Sequence, residues 1–204
     1  MKVLLVANPK GGCGKTTLST NIAGYLASRG NRVNLLDLDK QKSATHWLTM
    51  RPFEYPIIDL LESVDNPIPA DWLVIDSPAG FHDKNLERAL KISHQVIVPI
   101  SPSIFDIQAS REFLDVLHRE KSVRKGKIFV GLVGMRMSTN TRAATYLEQF
   151  IEGMDLPILA YLRETQVYVN AAFEGKTLFD LPLSLAQREL EQWEYMLDWI
   201  ERIH

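Results

Sequence analysis

The sequence predicts an α/β fold: a doubly wound, mostly parallel sheet with helices on both faces. Three observations carry that expectation. Apolar runs bounded by turn residues recur along the chain. These runs are continuous rather than alternating, the pattern of strands buried on both faces. Helical stretches lie between them, so strand, helix and strand follow one another, and right-handed crossovers then wind helices onto both faces.

In chain order, the expected strands are 2–8 (KVLLVAN), 32–38 (RVNLLDL), 72–77 (WLVIDS), 95–100 (QVIVPI), 127–133 (KIFVGLV) and a weaker 156–162 (LPILAYL). Helices are expected between them at Thr16–Arg29, about 41–50, 83–93, 106–121 and 139–153. Two more follow, at about 165–174 and 183–203. The last carries Leu190, Trp193, Met196, Leu197, Ile200 and Ile203 at helical spacing, an apolar stripe that wants a partner. Its polar face is read as Glu189, Glu191, Glu194, Asp198 and Glu201 against Arg188 and Arg202. An acidic face is repelled by anionic lipid, so this helix is expected to pack on the core, with no membrane partner.

With 204 residues and no repeat, linker or low-complexity tract, the chain reads as one domain, 1–204. It is 46% apolar and 24% charged with a formal net charge of −2, which excludes a disordered or collagen-like class. The only cysteine, Cys13, cannot form an internal disulfide. No apolar run has the length of a signal peptide or of the roughly 18 residues needed to span a bilayer. The expectation is a soluble, cytoplasmic protein. Charge is unevenly spread: residues 52–83 hold seven acids and no Lys or Arg, whereas 119–127 hold five bases and one acid.

The chemistry concentrates in Pro9–Thr17, PKGGCGKTT, between the first strand and the first helix. Gly11, Gly12 and Gly14 let backbone N–H groups turn inward around phosphate oxygens, and the helix N-terminus adds positive potential. In a phosphate loop of this form, Lys15 reaches the β- and γ-phosphates and Thr16 offers its hydroxyl to Mg2+. Magnesium also needs a carboxylate at the end of a neighbouring buried strand. Asp37 and Asp39 end one such run and Asp76 another. Asp76 is expected as the outer-sphere partner of Mg2+, and Asp39 as the group that positions the attacking water. Cys13 is expected to act as a small residue with its N–H towards phosphate, since no histidine is near in sequence to activate it.

Lys10–Thr17 resembles the deviant Walker A motif of the ParA/MinD family of ATPases, in particular its small ParA-type partition and positioning members. Asp37-Leu38-Asp39-Lys40-Gln41 resembles the family's second motif, and Asp76-Ser77-Pro78-Ala79-Gly80 its Walker B segment. Val98–Ser103 and Gln166–Val169 are similar to later family segments. The resemblance implies ATP and Mg2+ as cofactors, slow hydrolysis stimulated by an adaptor protein, and a sandwich homodimer formed on ATP. In that dimer Lys10 would cross to the partner's nucleotide, so Lys10, Lys15 and Asp39 are the expected catalytic residues. Nucleotide is expected on Lys10, Gly11, Gly12, Cys13, Gly14, Lys15, Thr16 and Thr17, and metal at Thr16, Asp37 and Asp76. Two departures stand out: Lys40 and Ala79 occupy positions where the family commonly has proline.

Relatives of this type bind DNA non-specifically as ATP dimers, which implies a cytoplasmic, nucleoid-associated protein that positions a plasmid, chromosome or protein assembly. Lys and Arg neutralising phosphates would supply that binding. Charge density favours Arg119, Lys121, Arg124, Lys125 and Lys127, whereas the resemblance favours Arg142 and Arg163; Arg136, Lys176 and Arg188 are further candidates. Two alternatives are a MinD-like membrane regulator, which the acidic last helix disfavours, and a metabolic relative. An iron–sulfur version of the latter lacks the cysteines it would need.

Overall fold

The computed structural model describes residues 1–65, 68–80, 84–138 and 140–202. Seven strands form one sheet in the order β3-β2-β4-β1-β5-β6-β7, and every strand pair is parallel. They are β1 (Lys2–Val6), β2 (Val33–Asp37), β3 (Ile58–Leu60), β4 (Trp72–Asp76), β5 (Gln95–Ile100), β6 (Phe129–Met137) and β7 (Ile158–Arg163). The helices are α1 (Lys15–Ser28), α2 (Ser43–Met50), α3 (Lys84–Ile92), α4 (Ile104–Arg119), α5 (Lys121–Arg124), α6 (Arg142–Glu152), α7 (Gln166–Phe173) and α8 (Leu183–Glu201), with a 3-10 turn at Leu178–Asp180.

The sheet divides two cores, as alternation along a two-sided strand requires. In β1, Leu4 and Val6 face a core shared with Leu18 and Ile22 of α1, Trp47 of α2 and Trp193 and Met196 of α8. Val3 and Leu5 face the other, with Leu86 of α3, Phe113 of α4 and Leu147 of α6. Because all strands are parallel, their C-terminal ends share one edge, and both phosphate loop and carboxylates fall on it.

Three differences from the sequence reading have physical reasons. β3 is a three-residue edge strand, too short to show a pattern. β6 runs past the apolar run to Met137, with an irregularity between Gly134 and Met137. In α8, Glu189 is not on the polar face: it is 1% exposed and accepts two hydrogen bonds from the Arg163 guanidinium. The expected helix starts at Asp83 and Thr139, and Ile203 of the apolar stripe, lie outside the described residues. The rest of the α8 stripe is core: Trp193, Met196 and Ile200 are fully buried. Among the described residues no helix is long and apolar enough to cross a membrane.

The segment before α8 is clamped onto α1 and α2. Asn21 of α1 accepts a hydrogen bond from the Leu178 N–H at 2.8 Å, and Gly24 lies so close to Thr177 that an added Cβ would meet its methyl at 2.4 Å. Arg51, just after α2, donates to both oxygens of Asp180 at 2.9 and 3.1 Å, and both side chains are nearly inaccessible. Removing one member of such a pair leaves an uncompensated buried charge. Asp180→Ala is therefore expected to destabilise by about 3–5 kcal/mol in urea unfolding. Asp65→Asn, which removes the exposed partner of Arg88, should leave the unfolding midpoint where it is.

Candidate nucleotide site

The loop from Ala7 to Gly14 joins β1 to α1 and is built from the inside by Asn8. This side chain is 1% exposed. Its amide donates to the Pro99 carbonyl at 2.7 Å and to Ser110 at 2.8 Å, and its oxygen accepts the Lys10 N–H at 2.9 Å. Asn8 thereby ties the loop to the end of β5 and to α4. Sequence reading passed over it, although a polar residue between a buried strand and a proline was the available signal. Gly12 and Gly14 have φ of 76° and 95°, left-handed values that a side chain resists, and Gly14 is the N-cap of α1.

One acceptor gathers the loop. The Lys10 carbonyl takes the Lys15 ammonium at 2.7 Å and the Cys13 thiol at 3.3 Å. Cys13 is fully buried, burial pushes its thiol pKa up, and its side chain serves the loop rather than a ligand. Lys15 is 7% exposed and has no ion-pair partner among the described residues. A buried ammonium bonded to a carbonyl and not to a carboxylate fits a site made for a phosphate. The Lys10 side chain goes elsewhere: it is 38% exposed, with its Nζ 3.7 Å from Asp106 in the first turn of α4.

Next to the loop lie the strand-end carboxylates. Thr16 donates to Asp76 Oδ2 at 2.7 Å and Ser19 to Oδ1 at 3.2 Å. Burial, with the neighbouring Asp37 charge, raises the Asp76 pKa to about 7 against the pull of Thr16, Ser19 and Lys15. This hydroxyl–carboxylate corner fits a hard divalent cation, which takes oxygen ligands and would supply the charge the buried carboxylate lacks. Asp37, the other expected metal ligand, is engaged by the chain that follows β2. Its oxygens accept the Asp39 N–H at 3.0 Å and the Thr45 N–H and hydroxyl at 2.9 and 3.2 Å, so its carboxylate organises the chain after β2. Asp39 caps that turn through the Gln41 N–H at 2.9 Å, and Lys42 reaches back to the Asp37 carbonyl at 2.5 Å. These bonds hold the turn without the proline that Lys40 replaces.

A cavity of about 530 Å³ opens over these groups. Gly11, Gly12, Gly14, Lys15, Thr16 and Thr17 form its floor. Asp39, Lys40 and Gln41 line it from the end of β2, Pro78 and Ala79 from the end of β4, and Arg136 from β6. The Gly80 N–H bonds the Pro9 carbonyl at 2.9 Å and fixes the β4 loop to the phosphate loop. Arg136, considered from sequence as a DNA contact, is thus a residue of the cleft.

The basic residues separate into groups. Arg119, Lys121, Arg124, Lys125 and Lys127 are exposed and precede β6, at the sheet edge opposite the cavity. Arg142 is exposed at the start of α6, which follows β6 at the same end of the sheet as the cavity. Arg163, expected as a DNA contact, has its guanidinium paired with the buried Glu189 and its side chain about a third exposed. Lys176 is paired with Glu174 at 2.6 Å.

A family profile described as the CobQ/CobB/MinD/ParA nucleotide binding domain matches residues 4–178. Maintenance of carboxysome distribution protein A from Halothiobacillus neapolitanus is 33% identical over 190 residues, 87% of each chain. Protein ParA from Rhizobium radiobacter is 26% identical over 154 residues, 72% of this chain and 69% of its own. Among solved structures, a Cyanothece McdA–ATP complex superposes with a TM-score of 0.78 at 18% identity, covering 100% of this chain and 97% of that one. The septum site-determining protein MinD with Mg-ADP from Pyrococcus horikoshii gives 0.72 at 16%, covering 98% and 96%. At those identities the structures speak for the fold alone. The profile match and the 33% identical relative carry the conclusion that this chain belongs to the CobQ/CobB/MinD/ParA nucleotide-binding family.

Proposed function

We propose that the chain is a positioning ATPase. It binds ATP with Mg2+, pairs with a second copy, holds DNA non-specifically as that dimer, and releases it on hydrolysis stimulated by an adaptor protein. It would work in the cytoplasm on the nucleoid, as a single domain spanning the sequence. The relative named for carboxysome distribution makes a protein assembly of that kind the favoured cargo. One observation supports the dimer above others: the two lysines of the loop point to different places. Lys15 is turned into its own site, whereas Lys10 extends to Asp106 at the rim. A cation there can complete a neighbour's site better than its own, adding positive charge where negative charge develops in phosphoryl transfer.

Within one subunit, the Gly11–Thr17 N–H groups cradle phosphates and Lys15 exchanges the Lys10 carbonyl for phosphate oxygens. Thr16, with Asp76 behind it, would hold Mg2+, whose charge would offset that of the phosphates. Asp39 stands in the cavity wall, able to orient a water. For DNA we favour Arg142 over the 119–127 cluster. Arg142 shares the sheet edge with the nucleotide cavity, where dimerisation can change what it faces, and the cluster lies on the far edge. A membrane reading is disfavoured because the apolar face of α8 is already spent in the core.

Three loop and strand-end substitutions separate the roles. Lys15→Ala should weaken ATP binding by about a hundredfold or more, because it removes the charged partner of buried phosphate. Asp39→Ala should still form an ATP-dependent dimer on a sizing column while hydrolysis falls by about 10²–10³-fold. Lys10→Ala should bind ATP as a monomer; an ATP-dependent dimer of that variant would overturn the assignment. For DNA, ATP-dependent retention at low salt should be lost in Arg142→Glu and kept when Lys121 and Lys125 are both reversed to Glu. The Arg142→Ala salt slope should fall by about one unit.

Asp76 gives a pH signature in the absence of nucleotide and metal. Its folded pKa of about 7 lies above the unfolded value of 3.8. Between the two, the folded protein keeps a proton that the unfolded chain has lost, so stability falls as pH rises through this window. Urea unfolding should show wild type losing stability from pH 5 to pH 8, and Asp76→Asn losing less. An unchanged slope in Asp76→Asn would contradict the assignment of that cost to this carboxyl.

A further inference from the structure

The turn after β2 is built without the side chain of Lys40. Asp37 accepts the Asp39 N–H at 3.0 Å, and Asp39 accepts the Gln41 N–H at 2.9 Å on its carboxylate and the Lys42 N–H at 3.2 Å on its carbonyl. Lys42 folds its ammonium back onto the Asp37 carbonyl. Lys40, in the middle of this turn, is exposed and makes no hydrogen bond or ion pair among the described residues. Its side chain therefore holds nothing in the subunit together. Yet Lys40 lines the nucleotide cavity with Gly11, Gly12 and Lys15. A lysine is a compact charge on a flexible stem, and in the wall of a cleft, away from any carboxylate partner, it suits an anion bound inside.

Strand order says which part of the anion Lys40 meets. Among the described residues the cavity is lined by three bases: Lys15 from the loop, Arg136 from β6 and Lys40 from the end of β2. Lys10 is not in the lining, and its ammonium lies by Asp106 at the rim. β6 is on the far side of β1, past β5, whereas β2 is the direct neighbour of β4. The end of β4 carries the Thr16–Asp76 corner that suits a divalent cation. In a phosphate loop of this form that cation and the loop lysine take the β- and γ-phosphates. The terminal phosphate thus belongs on the β2 side of the cavity, where Lys40 is the exposed base. ADP brings no group to that place.

We propose that Lys40 pairs with the terminal phosphate of ATP in its own subunit and makes this chain prefer ATP to ADP before a second copy arrives. The proposal rests on the reading of the cavity as an ATP site. Because the family commonly has proline at this position, the contact belongs to this chain rather than to its relatives at large. The test compares wild type, Lys40→Ala and Lys40→Met in calorimetric titrations with Mg-ADP and with the magnesium complex of a non-hydrolysable ATP analogue. Each protein is also titrated in the Lys10→Ala background, where pairing with a second copy is not expected to add to the affinity. In both backgrounds the two variants should lose about tenfold for the analogue and less than about twofold for ADP. Both should melt with wild type; a common drop would show the side chain holding the turn and would overturn the proposal. Unchanged analogue affinity in either variant, or an equal loss with ADP, overturns it as well. A loss seen only with Lys10 intact would put Lys40 on the partner's nucleotide, against the assignment to its own. Wild type that binds neither nucleotide sinks the reading of the cavity itself.

Discussion

The Lys10 carbonyl is the point on which the site closes. It accepts the Lys15 ammonium and the Cys13 thiol together, and so folds the loop back on itself beside the cavity that its residues line. Two consequences follow from that closure. Lys15 is drawn into the interior without an ion pair among the described residues, which suits the loop to an anion. The residue that supplies the carbonyl has its side chain outside that fold, free to reach the rim at Asp106. One residue therefore contributes its backbone to its own site and its charge to the surface.

The all-parallel sheet turns this loop into a complete cleft. Strands ending at a common edge bring Asp76, the Asp39 turn and Arg136 to the loop without any long connection. The arrangement has costs. Asp76 is a carboxylate in a place where it resists ionising, and Arg136 holds a backbone angle that suits glycine better. Both costs sit at the end of the sheet that carries the phosphate loop, at the N-terminus of α1. Strain and desolvation gathered in one cleft, over a well-packed base, are the marks of a site held ready for a ligand.

Much of this was legible in the sequence because buried parallel strands and glycine loops leave local signatures. The long apolar runs gave the order of elements, and the loop with its strand-end aspartates gave the location of the site. What stayed hidden depended on contacts between residues far apart in the chain. Nothing local distinguishes Glu189 from the other acids of α8; only Arg163, brought alongside by β7, makes its burial tolerable. The bonds that Asp37 accepts from Thr45 depend on how α2 sits at the end of β2. Arg136 reads as one more surface base until the register shift in β6 carries it to the cavity. The three-residue β3 and the Arg51–Asp180 pair are likewise products of tertiary pairing.

The central claim is that each subunit's Lys10 completes the other's site, and mixing two inactive variants examines it directly. In a dimer of Lys10→Ala with Asp39→Ala, both subunits retain Lys15 and bind ATP. Acting across the interface, the intact Lys10 of the second would join the intact Asp39 of the first at one nucleotide. The account predicts that each variant alone is inactive and that the mixture recovers ATP hydrolysis through that single whole site. A mixture no more active than its two components, although the mixed dimer forms, would place Lys10 in its own subunit's site and contradict the account.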